Sequence, residues 1–114
     1  MEDEILKHLR DIKDAAVAIR QFVWGKSFQD YSRDELLRSG VERKFEIIGE
    51  ALNRIKEYAP SVLEKIREHR SIVSFRNILI HGYDTIDDRI VWDVIEEDLE
   101  NLLEDVAKLM GKSD

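Results

Sequence analysis

The sequence predicts an all-α protein, an antiparallel bundle of three long helices plus one or two short ones. Three observations lead there. Apolar residues step by four and three through three long stretches, the spacing that lays one stripe along a helix. One proline and five glycines are too few for the tight turns of an all-β protein. The 114 residues, 43% hydrophobic and 38% charged, suit a single folded domain over 1–114 with one modest core.

The first long helix carries Ile5, Leu9, Ile12, Ala16, Ile19 and Val23 on one stripe. WGKSFQDYS then breaks the pattern with glycine and short polar residues. Ser32 and Glu35 read as a capping box that opens the second long helix. Its stripe is Leu37, Val41, Phe45, Ile48, Leu52 and Ile55, and it reaches about Tyr58. Gly40 inside it costs roughly 1 kcal/mol against alanine unless a neighbour packs closely there. Pro60 ends this helix, and Ser61 with Glu64 reads as a second capping box before a short helix through Lys65 and Arg67. A further helical piece runs from Ser71 to His81 and carries Ile72, Phe75, Leu79 and Ile80, with Gly82 at the C-terminal position that favours glycine. Asp87 and Asp88 open the last helix, whose stripe is Trp92, Ile95, Leu99, Leu102, Val106 and Leu109. The first and last stripes fit either the core of a monomer or a helical homodimer.

Composition narrows the function classes. The absence of cysteine excludes disulfides and thiolate metal sites and suits a reducing cytoplasm. MEDEILKHLR is charged from its second residue, unlike a signal peptide, and no apolar run approaches a membrane span. A net charge of −7 argues against nonspecific coating of nucleic acid. The charge is uneven, however. Asp84 to Asp105 holds ten acids against one arginine, and Lys65 to His81 holds four basic residues against Glu68 alone, with two histidines besides.

That second stretch contains RNILIHGYD, Arg76 to Asp84. Asn77 and His81 are four apart and share a helix face. Arg76 and His81 are five apart, about 140° around a straight helix, so one helix does not converge them on one atom. Either the helix loosens at its end or a second copy supplies the complementary group. The last-turn position of His81 favours the imidazolium and suits proton transfer near neutrality. Arg76 offers a planar cationic fork for phosphate oxygens. Together they form a workable kit for cleaving RNA, with the histidine handling the 2′-hydroxyl or leaving-oxygen proton and the arginine the charge on phosphorus. Taken alone, the same residues also read as a capped helix end with surface charge, and Tyr83 as a packing residue with a wet hydroxyl. His8 and His69 read as solvated, IEEDLE as a solvated face, and Trp24 and Trp92 as core or interface anchors. With few ligands near any histidine, no metal site is expected.

Arg76-Asn77-Ile78-Leu79-Ile80-His81-Gly82-Tyr83 resembles the R-N-x-x-x-H-x-Y signature of the HEPN superfamily, in its HepT-like branch. VERKFEIIGEAL (Val41 to Leu52) and IDDRIVWDVIEEDL (Ile86 to Leu99) resemble other segments of that branch, so the likeness runs nearly the whole chain in order. The resemblance implies a helical bundle that dimerises with both arginine–histidine pairs facing one cleft. It implies a metal-independent endoribonuclease, the toxin of a toxin–antitoxin pair acting on tRNA or mRNA, with Arg76 and His81 catalytic and Asn77 orienting the site. It implies a partner too, a minimal nucleotidyltransferase that uses ATP to attach AMP to Tyr83, while the chain itself needs no cofactor. Related HEPN proteins serve as non-catalytic nucleotide- or partner-binding modules, which is the alternative expectation.

Overall fold

The computed structural model describes residues 2–81 and 86–111, and all regular structure among them is α-helical. The order is α1 (Asp3–Phe22), α2 (Phe28–Arg33), α3 (Glu35–Tyr58), α4 (Pro60–Leu63), α5 (His69–His81), α6 (Asp88–Glu97) and α7 (Leu99–Gly111).

The apolar stripes determine the packing. α1 buries Ile5, Leu9, Ile12, Ala16 and Ile19, and α3 buries Leu37, Val41, Phe45, Ile48, Leu52 and Ile55. Each of these side chains larger than alanine, fully buried, contributes about 1.5–3 kcal/mol of hydrophobic free energy. α3 is the central element, packing on α1 along one side and on α5 along another, while α7 closes over α1. The directions follow from the contacts. Phe22, at the end of α1, lies against Gly40 near the start of α3, whereas Lys7 and His8 share a cleft with Glu50 and Arg54. α1 and α3 are therefore antiparallel. The Phe45–Phe75 ring pair, 5.1 Å between centroids, and the approach of Lys56 to His69 and Arg70 around one cleft make α3 and α5 antiparallel as well.

Local chemistry corrects several expected boundaries. The WGKSFQDYS break contains α2, opened by a capping box one turn earlier than Ser32. Ser27 Oγ accepts from the Asp30 N–H at 3.1 Å, and the Asp30 carboxylate accepts from the Ser27 N–H at 3.0 Å. Ser32 cannot cap α3 because it lies inside α2, donating to the Gln29 carbonyl at 3.1 Å. Asp34 caps α3 instead, accepting from the Leu37 N–H at 3.0 Å. Pro60 does end α3, and it also starts α4 as its first residue, a place where its missing N–H costs nothing. The expected Ser61–Glu64 box does not form, and α4 stops at Leu63. Lys65 and Arg67 lie in turns around the fully buried Ile66.

The last helix is two helices. Asp98 lies between them, and the backbone ladder continues through it, Asp98 N–H to Val94 O at 2.9 Å and Leu102 N–H to Asp98 O at 3.0 Å. Its carboxylate accepts from the Ser71 hydroxyl at 3.0 Å, a tertiary bond that ties the junction of α6 and α7 to α5. Trp92 is the expected anchor, packed 5.5 Å from the Tyr31 ring and 6.3 Å from the Phe28 ring. Trp24 is not a core residue, since 80% of it faces solvent. Among the described residues no helix is long and apolar enough to cross a membrane.

Candidate active site

Arg76 sits where α5 crosses α3 most closely. Gly49 permits that crossing, because a Cβ at this position would overlap the Cβ and Cγ of Arg76. The arginine stem lies over the glycine and its guanidinium emerges beside Glu50, with 21% of the side chain exposed. Nη2 donates to Glu50 Oε2 at 2.9 Å, and Nη1 donates to Asn77 Oδ1 at 3.2 Å. The Nε atom is buried without a hydrogen-bond partner among the described residues. Glu50 also meets Arg54 Nε at 3.4 Å, so one carboxylate joins guanidiniums from two helices. Stem packing, the ion pair and the hydrogen bond to Asn77 Oδ1 together hold Arg76 in place, the preorganisation that makes a guanidinium effective against developing charge.

This side chain opens onto a cleft of about 440 Å³ lined by Lys7 and His8 of α1, Arg43 and Arg54 of α3, and Arg76 and Ile80 of α5. Each cation there has a carboxylate partner. Lys7 pairs with Asp11 at 2.9 Å, Arg43 with Glu46 at 3.3 Å, and Arg54 and Arg76 with Glu50.

The structure brings Arg76 and Asn77 together and leaves His81 apart. His81 is the last residue of α5, exposed and absent from the cleft lining, as the 140° offset requires of a straight helix. The helix does not loosen at that end: α5 runs unbroken through His81. Tyr83 and Gly82 fall outside the described residues.

Sequence reasoning missed three contributors. His8, read as solvated, is half-buried and lines the cleft. Gly49 and Glu50 lie in the quoted VERKFEIIGEAL, but only the approach of α5 reveals what they touch. The basic strip from Lys65 to His81 is also divided. Arg67 donates through its backbone N–H at 2.9 Å and its Nε at 3.0 Å to the buried Asp105, and through Nη2 to Glu104 at 3.0 Å. Burial alone would raise the Asp105 pKa, but the Arg67 bonds outweigh it and hold the carboxyl below the usual range. Arg67 is thus a structural clasp between the turn before α5 and α7.

The family model described as Ribonuclease HepT-like matches residues 12–109. "Putative RNase MJ1380" of Methanocaldococcus jannaschii is 31% identical over 107 residues, covering 90% of this chain and 94% of that protein. "Probable ribonuclease HepT" of Thermococcus cleftensis is 31% identical over 105 residues, covering 90% of this chain and 92% of that one. "Gamma-glutamylcyclotransferase and putative RNase MJ0434" of Methanocaldococcus jannaschii is 26% identical over 117 residues, and the chain spans about half (51%) of its length. No solved structure matches. The chain belongs to the Ribonuclease HepT-like family.

Proposed function

We propose that this protein is a metal-independent endoribonuclease whose site is assembled across a homodimer, Arg76 of one copy working with His81 of the other. The observation that carries this reading is the separation just described. Arg76 is locked into the cleft by Gly49, Glu50 and Asn77, while His81 faces solvent from another side of α5. A second copy over that face brings an imidazole to the arginine that its own helix cannot. Ile78 and Ile80, 49% and 42% exposed beside these residues, supply apolar surface for such packing.

The chemistry then uses the substrate's own nucleophile. One imidazole accepts the proton of a ribose 2′-hydroxyl as its oxygen attacks the adjacent phosphorus. The phosphorus–O5′ bond breaks, the departing oxygen takes a proton from a water molecule, and the imidazolium returns its proton to the hydroxide left, giving a 2′,3′-cyclic phosphate and a 5′-hydroxyl. A two-fold axis repeats the arrangement, so one dimer holds two Arg76–His81 pairs. Arg76 stabilises the extra negative charge on the phosphoryl oxygens.

The same reading includes regulation. A partner nucleotidyltransferase transfers AMP from ATP to the Tyr83 oxygen, releasing pyrophosphate, in a toxin–antitoxin pair. An adenylyl group two residues from His81 adds bulk and negative charge, which repels an RNA phosphate. The test is cleavage of a pool of tRNA and mRNA in EDTA by wild type and His81→Ala. Discrete fragments ending in 2′,3′-cyclic phosphate from wild type alone are expected. Intact RNA with both proteins contradicts the nuclease and favours a binding module.

A further inference from the structure

A second cleft, of about 430 Å³, lies along the same α3–α5 groove. Lys56 and Asn53 come to it from α3, His69, Arg70 and Ser74 from α5, and Glu64 from the turn after α4. Its charges differ from those at Arg76 in one respect. Among the described residues neither Lys56 nor Arg70 forms an ion pair, although acids outnumber bases in the chain, 25 to 18. Two cations and an imidazole against the single carboxylate of Glu64 leave this concave site with net positive charge for an anion from solution. The first turn of α5, whose dipole end is positive, adds to the same potential.

The groove also has a direction. His69 and Arg76 are seven residues apart, so their backbone positions lie about 10 Å from each other along the α5 axis. From the ranges in contact, the groove passes from Gly49 against Arg76, through Asn53 near Ser74, to Lys56 near Arg70. An extended single strand with a phosphate at Arg76 carries further phosphates toward Lys56 and Arg70.

We propose that Lys56, Arg70 and His69 form a second phosphate-binding site, which holds the backbone of single-stranded RNA on one side of the scissile phosphate. The proposal rests on the ribonuclease reading above. Asn53 and Ser74 provide neutral hydrogen-bonding groups suited to sugar and phosphate oxygens. With no Phe, Tyr or Trp side chain lining this cleft among the described residues, it reads charge and leaves base identity unread.

The probe is a fluorescent 2′-O-methyl oligoribonucleotide, which lacks the attacking hydroxyl and stays intact. Its affinity is measured from low to moderate salt with wild type, Lys56→Gln/Arg70→Gln, and the charge-matched control Lys13→Gln/Lys26→Gln. All four lysine and arginine positions are exposed, so each variant keeps the fold, checked by circular dichroism. Loss of two phosphate contacts flattens the slope of log K against log salt by about 1.4. The proposal expects that flattening and an affinity loss of about tenfold or more in the first variant, with no change in slope in the control. Wild-type affinity and slope in Lys56→Gln/Arg70→Gln overturn it while wild-type cleavage of ordinary RNA leaves the nuclease standing. An equal loss for AMP alone marks a mononucleotide pocket and also overturns it. Neither binding nor cleavage by wild type removes the nuclease reading, and the proposal with it.

Discussion

The two clefts of the α3–α5 groove contain the same kinds of side chains and use them differently. At the Arg76 end each cation has a carboxylate beside it, and Glu50 serves two arginines at once. At the Lys56 end the two cations have no such partner among the described residues. Pairing fixes geometry and lowers net charge; leaving a cation unpaired keeps its charge for a ligand and its side chain mobile. A residue that must meet a developing charge at one point gains from being fixed. One that tracks a flexible backbone gains from being free. Arg67 shows a third use, since Asp105 and Glu104 consume its charge in holding the turn before α5 onto α7.

The comparison can be broken most severely at the crossing beneath Arg76. Gly49→Ala places a methyl group against the Arg76 Cβ, which is too near the backbone to swing aside. Urea unfolding should show a loss of about 1–3 kcal/mol from overpacking, and RNA cleavage should fall more than stability alone explains. Gly40→Ala is the contrast within the same helix. Its nearest neighbour is the Phe22 ring edge at 3.4 Å, an ordinary contact, so the same urea titration should show a gain of up to about 1 kcal/mol from helix propensity.

Asp105→Asn removes the clasp and should cost about 2 kcal/mol, the scale of hydrogen bonds to a charged group. Its pH dependence identifies the cause. The wild-type carboxyl is held below its unfolded value of about 3.9, so its contribution is full above that pH and is lost as pH falls through the depressed folded value. The stability gap between wild type and variant should therefore close in acid below about pH 4.

Glu50→Gln makes the Arg76 end resemble the other one. It frees Arg54 and Arg76 of their shared anion while keeping side-chain size. Single-turnover cleavage should slow about tenfold as the guanidinium loses its fixed position, and RNA affinity should hold or rise. The smallest change runs the other way. Ser74→Glu puts a carboxylate four residues from Arg70 on α5, a spacing that pairs charges, and should weaken binding of the uncleavable oligoribonucleotide severalfold.

Local signals made much of the fold legible. The stripes of α1 and α3 are buried except for Val23, which lies just past the end of α1 and is half-buried, because period and burial are the same fact on a helix. The signature Arg76, Asn77 and His81 was legible through its resemblance to a known family motif, and helix periodicity alone set the angle that separates the first from the last. What escaped depended on a second element. The junction at Asp98 is tied to α5 by Ser71, 27 residues away. Trp24 looked like an anchor by type, yet the turn at Gly25, with φ of 71°, leaves it outside the core. Ser27–Asp30 was a readable capping box, passed over for the adjacent Ser32–Glu35 spacing. The roles of Gly49, Glu50 and His8 appear only once α1, α3 and α5 are packed together.

The central claim is that arginine and histidine come from different copies, and mixing two inactive variants tests it most directly. Arg76→Ala and His81→Ala are each expected to lose about 10²- to 10⁴-fold in cleavage. If the site is shared, a mixed dimer rebuilds one intact pair, and exchange of subunits should restore about a quarter of wild-type activity. If mixing restores nothing while mass spectrometry shows that mixed dimers have formed, each copy acts with its own residues and the account is wrong.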